Sequence, residues 1–272
     1  MDLAEPLCAS WKAELALGFE RRAARSVLAR RHHAGPLQVQ KALYPEGDAV
    51  CHTIVLHPPA GIAGGDELAI DICVDAQAHA LLTTPGAGKW YRSGGPWARQ
   101  DLTFRIEGCL EWLPQETIVF DGALACMSTS VDLAPGASYF GWEILCLGRT
   151  GSGERYASGT ARVATEIRRA GRLIWCERGR IDGGGALLAS PAGFGAHTVC
   201  ATLLATGEID ADCLAECRRD PQVALTCPPG LVVARYLGDS SERAKLSLAR
   251  LWRQLRPALL GRAAMEPRIW RT

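Results

Sequence analysis

The chain has 272 residues, 48% of them hydrophobic and 22% charged, with a formal net charge of +1. That size and balance supply the core of one large β domain and exclude a disordered chain. A charge so close to zero leaves no footprint for nucleic acid, and no run reaches the about 18 to 20 apolar residues that span a bilayer.

The N-terminus carries Asp2, Glu5 and Glu14 and no apolar h-region, so it does not read as a secretory signal. Residues 1–14 are expected as a loose tail on a single domain covering 1–272. The 11 cysteines are odd in number and scattered singly. Most, including Cys51, Cys73, Cys109, Cys146, Cys176 and Cys200, fall in strand-like runs. Without an export signal they are expected as reduced thiols serving as small apolar side chains, in the cytoplasm.

Residues 11–31 are rich in Ala, Leu, Glu and Arg, which favours a helix. Leu15, Leu17 and Phe19 alternate, however, as do Ala23, Arg25 and Val27, and this period predicts two strands. From residue 35 to about 208 a period of two dominates. Leu68, Ile70, Ile72 and Val74 alternate with polar or small residues, as do Leu102, Phe104 and Ile106. Phe140, Trp142, Ile144 and Cys146 share one face of their run. Gly/Pro turns such as HPPAG, RSGG, APGA and DGGGA recur after about 8 to 12 residues, the grammar of an all-β protein. RRAGR at 168–172 reads as a hairpin turn.

Two helices are expected late. Asp210 is a candidate N-cap for 210–220, which Pro221 stops. Ser240 or Ser241 can cap 240–256, where Leu248, Leu251, Trp252 and Leu255 form an i, i+3, i+4, i+7 stripe and Pro257 and Gly261 mark the end. The stripe reads as core contact, with a groove on a partner as the sharper alternative.

Two glycine-rich stretches fail as nucleotide motifs. In TTPGAGKW, taking Lys89 as the lysine of a P-loop puts Thr83 where the first glycine belongs and Trp90 where the hydroxyl belongs. In GIAGGDEL, Gly61, Gly64 and Gly65 break the dinucleotide spacing, and a strand follows. These glycines let the backbone approach a neighbour closely, just before Asp66. The six histidines have no zinc-type spacing. Cys213, Cys217 and Cys227 lack a fourth ligand for a structural metal. No G-x-S-x-G elbow occurs, although a Ser/His/Asp site assembled in three dimensions leaves a hydrolase on a β scaffold as the alternative function.

Three acids sit in apolar or glycine-rich surroundings: Asp66, Glu143 and Glu177. A carboxylate there must be paired, meet a cation or face water. The outward face of a strand accounts for Glu143 and Glu177 as well as a functional role does.

Long blocks then carry a resemblance. GPLQVQKALYPEG (35–47), CHTIVLHPPAGIAGGDEL (51–68), HALLTTPGAGKWYRS (79–93), LEWLPQETIVFDGA (110–123), GWEILCLGR (141–149), ARYLG (234–238) and PRIWRT (267–272) resemble, in order, the urease accessory protein D family, also called accessory protein H. The resemblance implies a non-enzymatic, cytosolic metallochaperone scaffold, with an irregular helix-like stack of many strands and about two α-helices in the C-terminal third. It implies that the chain binds urease apoprotein and accessory proteins F and G, and has no nucleic-acid or membrane partner. It further implies that nickel(II) passes transiently along an internal water-filled path, with no tightly bound cofactor. Asp66, Glu143 and Glu177 are expected to line that path, the first two within the quoted blocks and Glu177 in IWCERGR (174–180). Trp252 and Trp270, with the late helix, are expected to help dock accessory protein F, because Trp is favoured at binding hot spots.

Overall fold

The computed structural model describes residues 10–59 and 61–271. Strands hold 48% of the chain and helices 15%, so the mainly-β expectation stands. Two sheets stack face to face, and helices cover the second.

The first sheet runs in the order β14 (Arg172–Asp182), β13 (Thr160–Arg169), β11 (Leu124–Leu133), β8 (Ala98–Ile106), β5 (Glu67–Val74), β1 (Lys12–Arg22) and β2 (Arg25–Ala34). The second runs β16 (Val223–Thr226), β17 (Leu231–Gly238), β15 (Val199–Thr206), β12 (Ser138–Leu147), β9 (Cys109–Trp112), β6 (His79–Thr83), β4 (Cys51–Leu56) and β3 (Gln38–Val39). Two short strands, β7 (Gly88–Trp90) and β10 (Thr117–Val119), extend it beside the second half of β12.

The chain steps between sheets as it climbs: β5 to β6, β8 to β9, β11 to β12. Each step adds a parallel neighbour in both sheets. This is the expected helix-like stack. Parallel sheets usually bury both faces. Here β5 keeps the one-sided pattern, with Leu68, Ile70, Ile72 and Val74 buried and the residues between them at least partly exposed. The sequence therefore displayed alternation although the strands are parallel. The turns between sheets stack as closely as the strands do. A Cβ on Gly108 would fall 2.2 Å from the Ala78 carbonyl oxygen and 2.6 Å from that of Asp75.

Residues 12–34 form the hairpin β1–β2, as their alternation predicts. Residues 12–14 of the expected tail belong to β1, and residues 1–9 lie outside the described residues. The hairpin turn between β13 and β14 is also where RRAGR placed it.

Helix α1 (Ala186–Ala189) is a single turn. Asp210 caps α2 (Ala211–Cys217), and Ser240 caps α3 (Ser241–Leu260), each accepting from a backbone N–H of the first turn. Pro257 does not end α3, which continues through it to Gly261 in the left-handed conformation (φ 64°). Arg256 explains the extension, because its guanidinium is anchored beneath the last turn. Its Nε donates to both Glu111 oxygens at 3.0 Å, and its Nη1 donates to Glu46 Oε2 at 2.7 Å. His79 Nε2 lies 2.7 Å from Glu111 Oε1, His52 Nε2 lies 2.6 Å from Glu46 Oε1, and Trp252 Nε1 donates to Glu111 Oε2 at 2.6 Å. Burial alone would raise the Glu111 pKa, but the His79 hydrogen bond and the charges of His79 and Arg256 hold it at about 2.

The helical stripe is core. Leu248, Leu251, Trp252 and Leu255 are all fully buried. They pack on Phe140, Trp142, Ile144 and Cys146 of β12. Each contributes roughly 1.5–3 kcal/mol by leaving water. Trp252 therefore cannot dock a partner directly, because its ring faces the sheet and its N–H is committed to Glu111. Trp270 is half-buried. Its ring stacks near Trp142 (5.4 Å) and Trp252 (5.6 Å), and its Nε1 donates to Thr83 Oγ1.

Candidate functional site

One face of β12 packs against α3, so its opposite face looks into the space between the sheets. This settles the orientation of Glu143, which alternation left open. It points inward, into a cavity of about 880 Å³. Ile144 belongs to the helix side, Trp142 packs there and also lines the cavity, and Gly141, Glu143 and Leu145 line it as well.

Strand register builds the polar part. Glu143 of β12 stands opposite Thr202 of β15, and Thr202 opposite Arg235 of β17, giving one row across the second sheet. The first sheet supplies a facing row of Ile70, Leu102, Thr129, Thr165 and Glu177 on successive strands. All of these residues line the cavity, which grades from aliphatic near β5 to polar near β14. The rows join through Arg235, whose Nη1 donates to Glu177 Oε1 at 2.7 Å and to Thr202 Oγ1 at 3.1 Å.

The two acids differ in state. Glu177 has its guanidinium partner and is partly exposed. Glu143 has no hydrogen bond or ion pair to another described residue. Burial, reinforced by the charge of Glu177, raises its pKa to about 7. Cys200, on the neighbouring row, has its thiol pushed up to about 12 by burial and by Glu143, so it stays protonated at neutral pH.

Asp66 lies elsewhere. It is buried, its Oδ1 accepts from Trp11 N and its Oδ2 from Ala63 N, both at 2.8 Å. It does not line the cavity. Its carboxylate holds the 61–66 turn, where Gly61 lies against the Tyr91 ring and Gly64 against Ser93. That turn includes Ile62, which lines the cavity, and the charge of Asp66 opposes the lowering that burial imposes on the pKa of His57, which lines it too.

Sequence reading paired none of Thr129, Thr165, Thr202, Arg235 and His57 with the acids. The strand residues among them lie up to 106 positions apart (129 to 235) and meet through register, and His57 joins from the loop after β4. Glu111 and Arg256 were missed as well, although a Glu in LEWLP and an Arg on the apolar side of a helix were signals of buried charge.

The TTPGAGK turn forms part of the cavity rim. Pro85, Gly86 and Gly88 are both exposed and cavity-lining. A second exposed rim lies at Leu187, Gln222, Ala224, Arg235 and Leu237, between the edge strands β14 and β16–β17. The row Gly88, Thr117, Leu145, Cys200 and Leu237 connects the rims across four strand spacings, roughly 19 Å.

The described residues contain no group of three or more His, Cys, Asp or Glu that could hold a metal ion. Cys213 and Cys217 come together with Cys227 nearby. Burial and the neighbouring thiols push Cys217 up to about 12. The described histidine–carboxylate pairs are His52–Glu46, His79–Glu111 and His197–Asp239, and no serine hydroxyl hydrogen-bonds to any of these rings. The hydrolase alternative gains no support from this arrangement. No helix among the described residues is long and apolar enough to cross a membrane.

Comparison with known proteins gives the family. The family model of the UreD urease accessory protein matches residues 12–271. The chain is 56% identical to the urease accessory protein UreD of Azoarcus sp. (strain BH72), covering 96% of this chain and 94% of that one. It is 56% identical to that of Dechloromonas aromatica (strain RCB), covering 97% and 95%, and 52% identical to that of Pseudomonas aeruginosa (strain PAO1), covering 97% and 96%. The chain therefore belongs to the UreD urease accessory protein family, and its role is accessory to urease maturation rather than enzymatic.

Proposed function

We propose that this protein is a cytoplasmic scaffold that binds urease apoprotein and accessory proteins F and G and passes nickel(II) through the inter-sheet cavity. The observation that carries the reading is Glu143 facing Glu177 across a cavity with two exposed rims. Nickel accepts carboxylate, imidazole and water ligands. A path must bind its ion strongly enough to admit it and weakly enough to release it. Two carboxylates among threonine hydroxyls suit that demand better than a closed cage. The protonated Cys200 thiol is a poor trap, because the thiolate is the metal-binding form.

In this reading Glu143 gives up its proton as the dication arrives, and Glu177 exchanges Arg235 for the metal. Asp66 serves by holding the turn beside His57. Docking of accessory protein F falls to exposed C-terminal positions such as Leu246, which is 60% exposed, with Trp252 setting the helix beneath it.

The test is co-expression of the cognate urease and other accessory proteins with Glu143→Gln, Glu177→Gln and the double variant. Nickel per urease active site is measured beside co-purification of the complex. The double variant should assemble normally and leave urease poor in nickel. Full nickel loading in an intact complex would refute the path.

A further inference from the structure

The stretch Gly86–Ala87–Gly88 does something its backbone does not require. Glycine usually marks a positive φ or a place where a Cβ would strike a neighbour. Neither applies here. Gly86 and Gly88 lie outside the positive-φ region, and a Cβ on either would find nothing within 4 Å. Gly88 also opens strand β7, hydrogen-bonding through its N–H to the Glu116 carbonyl at 2.9 Å. Glycine costs roughly 0.5–1 kcal/mol relative to alanine in a strand. A glycine inside a strand often marks close approach by a ligand or another backbone. No described part of this chain approaches either glycine, so the space beside them is open.

The position supplies the rest. Both glycines are exposed and line the cavity. Gly88 begins the strand row that passes Leu145, the neighbour of Glu143 on the same face of β12, and ends at the opposite rim. A side chain added at either position would stand over the opening.

We propose that the turn Thr84–Gly88 is a port of the cavity, kept bare of side chains so that a hydrated divalent cation can pass it. Backbone carbonyls of the turn are oxygen ligands of the kind such an ion accepts in transit, while the Thr84 hydroxyl braces the turn, donating to the Gly86 carbonyl at 3.2 Å and accepting from Gln115 N at 2.9 Å. The proposal rests on the nickel-path reading and assigns that path one of its two openings. It also gives the glycine-rich turn a use, since its spacing excludes phosphate.

The experiment grades side-chain size at the port. Gly86 and Gly88 are each changed to Ala, Leu and Trp, and the double Gly86→Trp/Gly88→Trp variant is added. Gly94 and Gly151 are the controls, being exposed glycines outside the cavity that likewise lack a positive φ and Cβ neighbours. Each variant is co-expressed with urease and the other accessory proteins. The readouts are thermal stability, co-purification with urease and accessory proteins, and nickel per urease. All should fold and assemble like the parent. Nickel should fall stepwise with side-chain size at 86 and 88, reaching the level without this protein in the double variant, and stay unchanged in the controls. Normal nickel loading in a folded double-Trp variant would overturn the port while leaving the path intact, provided the Glu143 and Glu177 variants still fail. Loss of co-purification would also overturn it, because the turn would then be a docking face.

Discussion

Glu143→Gln should stabilise the protein while removing part of its function. The carboxylate sits inside the cavity with Glu177 nearby and no compensating partner, and its pKa is raised from 4.5 to about 7. An acid whose folded pKa exceeds its unfolded value is neutral in both states at low pH and makes no contribution there. As pH rises through 4.5 the unfolded chain ionises first, and the folded state loses ground until pH passes about 7. At 1.36 kcal/mol per decade the interval corresponds to ~3 kcal/mol against folding above neutrality. The amide keeps the shape and cannot ionise. Urea unfolding followed by tryptophan fluorescence should therefore show little difference between parent and variant near about pH 4, and a variant more stable by ~3 kcal/mol near about pH 8. A gain independent of pH, or a loss at high pH, would show that Glu143 is already ionised and compensated, and would remove the physical reason for reading it as a functional group. Stability given up at a working site is a common cost of activity.

Two further substitutions probe the scaffold. Arg256→Met strands Glu46 and Glu111 beneath α3 and should cost about 3–5 kcal/mol in denaturant unfolding at neutral pH. Because the Glu111 pKa is depressed, its share of parental stability is present above pH 4.5 and lost as pH falls towards 2, so the gap between parent and variant should narrow in acid. Gly108→Ala drives a methyl group into the Ala78 and Asp75 carbonyls and should cost about 1–3 kcal/mol, read as a lower melting temperature with the co-purification pattern unchanged.

Strands of the first sheet such as β5 were legible because one face is packed and the other is not. Leu68, Ile70, Ile72 and Val74 announced β5 by alternation, and Leu15, Leu17 and Phe19 overrode a helix-favouring composition in β1. The caps at Asp210 and Ser240 were legible because capping is local hydrogen bonding between near neighbours. The end of α3 was not. Pro257 is a local stop signal, overruled by Arg256 reaching Glu111, 145 positions away.

The site divides along the same line. Sequence by itself determined that Glu143 and Glu177 are acids in strands, and block resemblance determined the family. Alternation says that Glu143 opposes Trp142 and Ile144, but it cannot say which of the two faces meets solvent. Only the third layer decided that, because α3 covers the aromatic face and leaves the other looking into the cavity. Asp66 and Trp252 show the converse. Residue type made each a plausible contact, and tertiary packing assigned one to a turn and the other to the core. The cavity itself is a consequence of register between strands far apart in the chain, which no local pattern encodes.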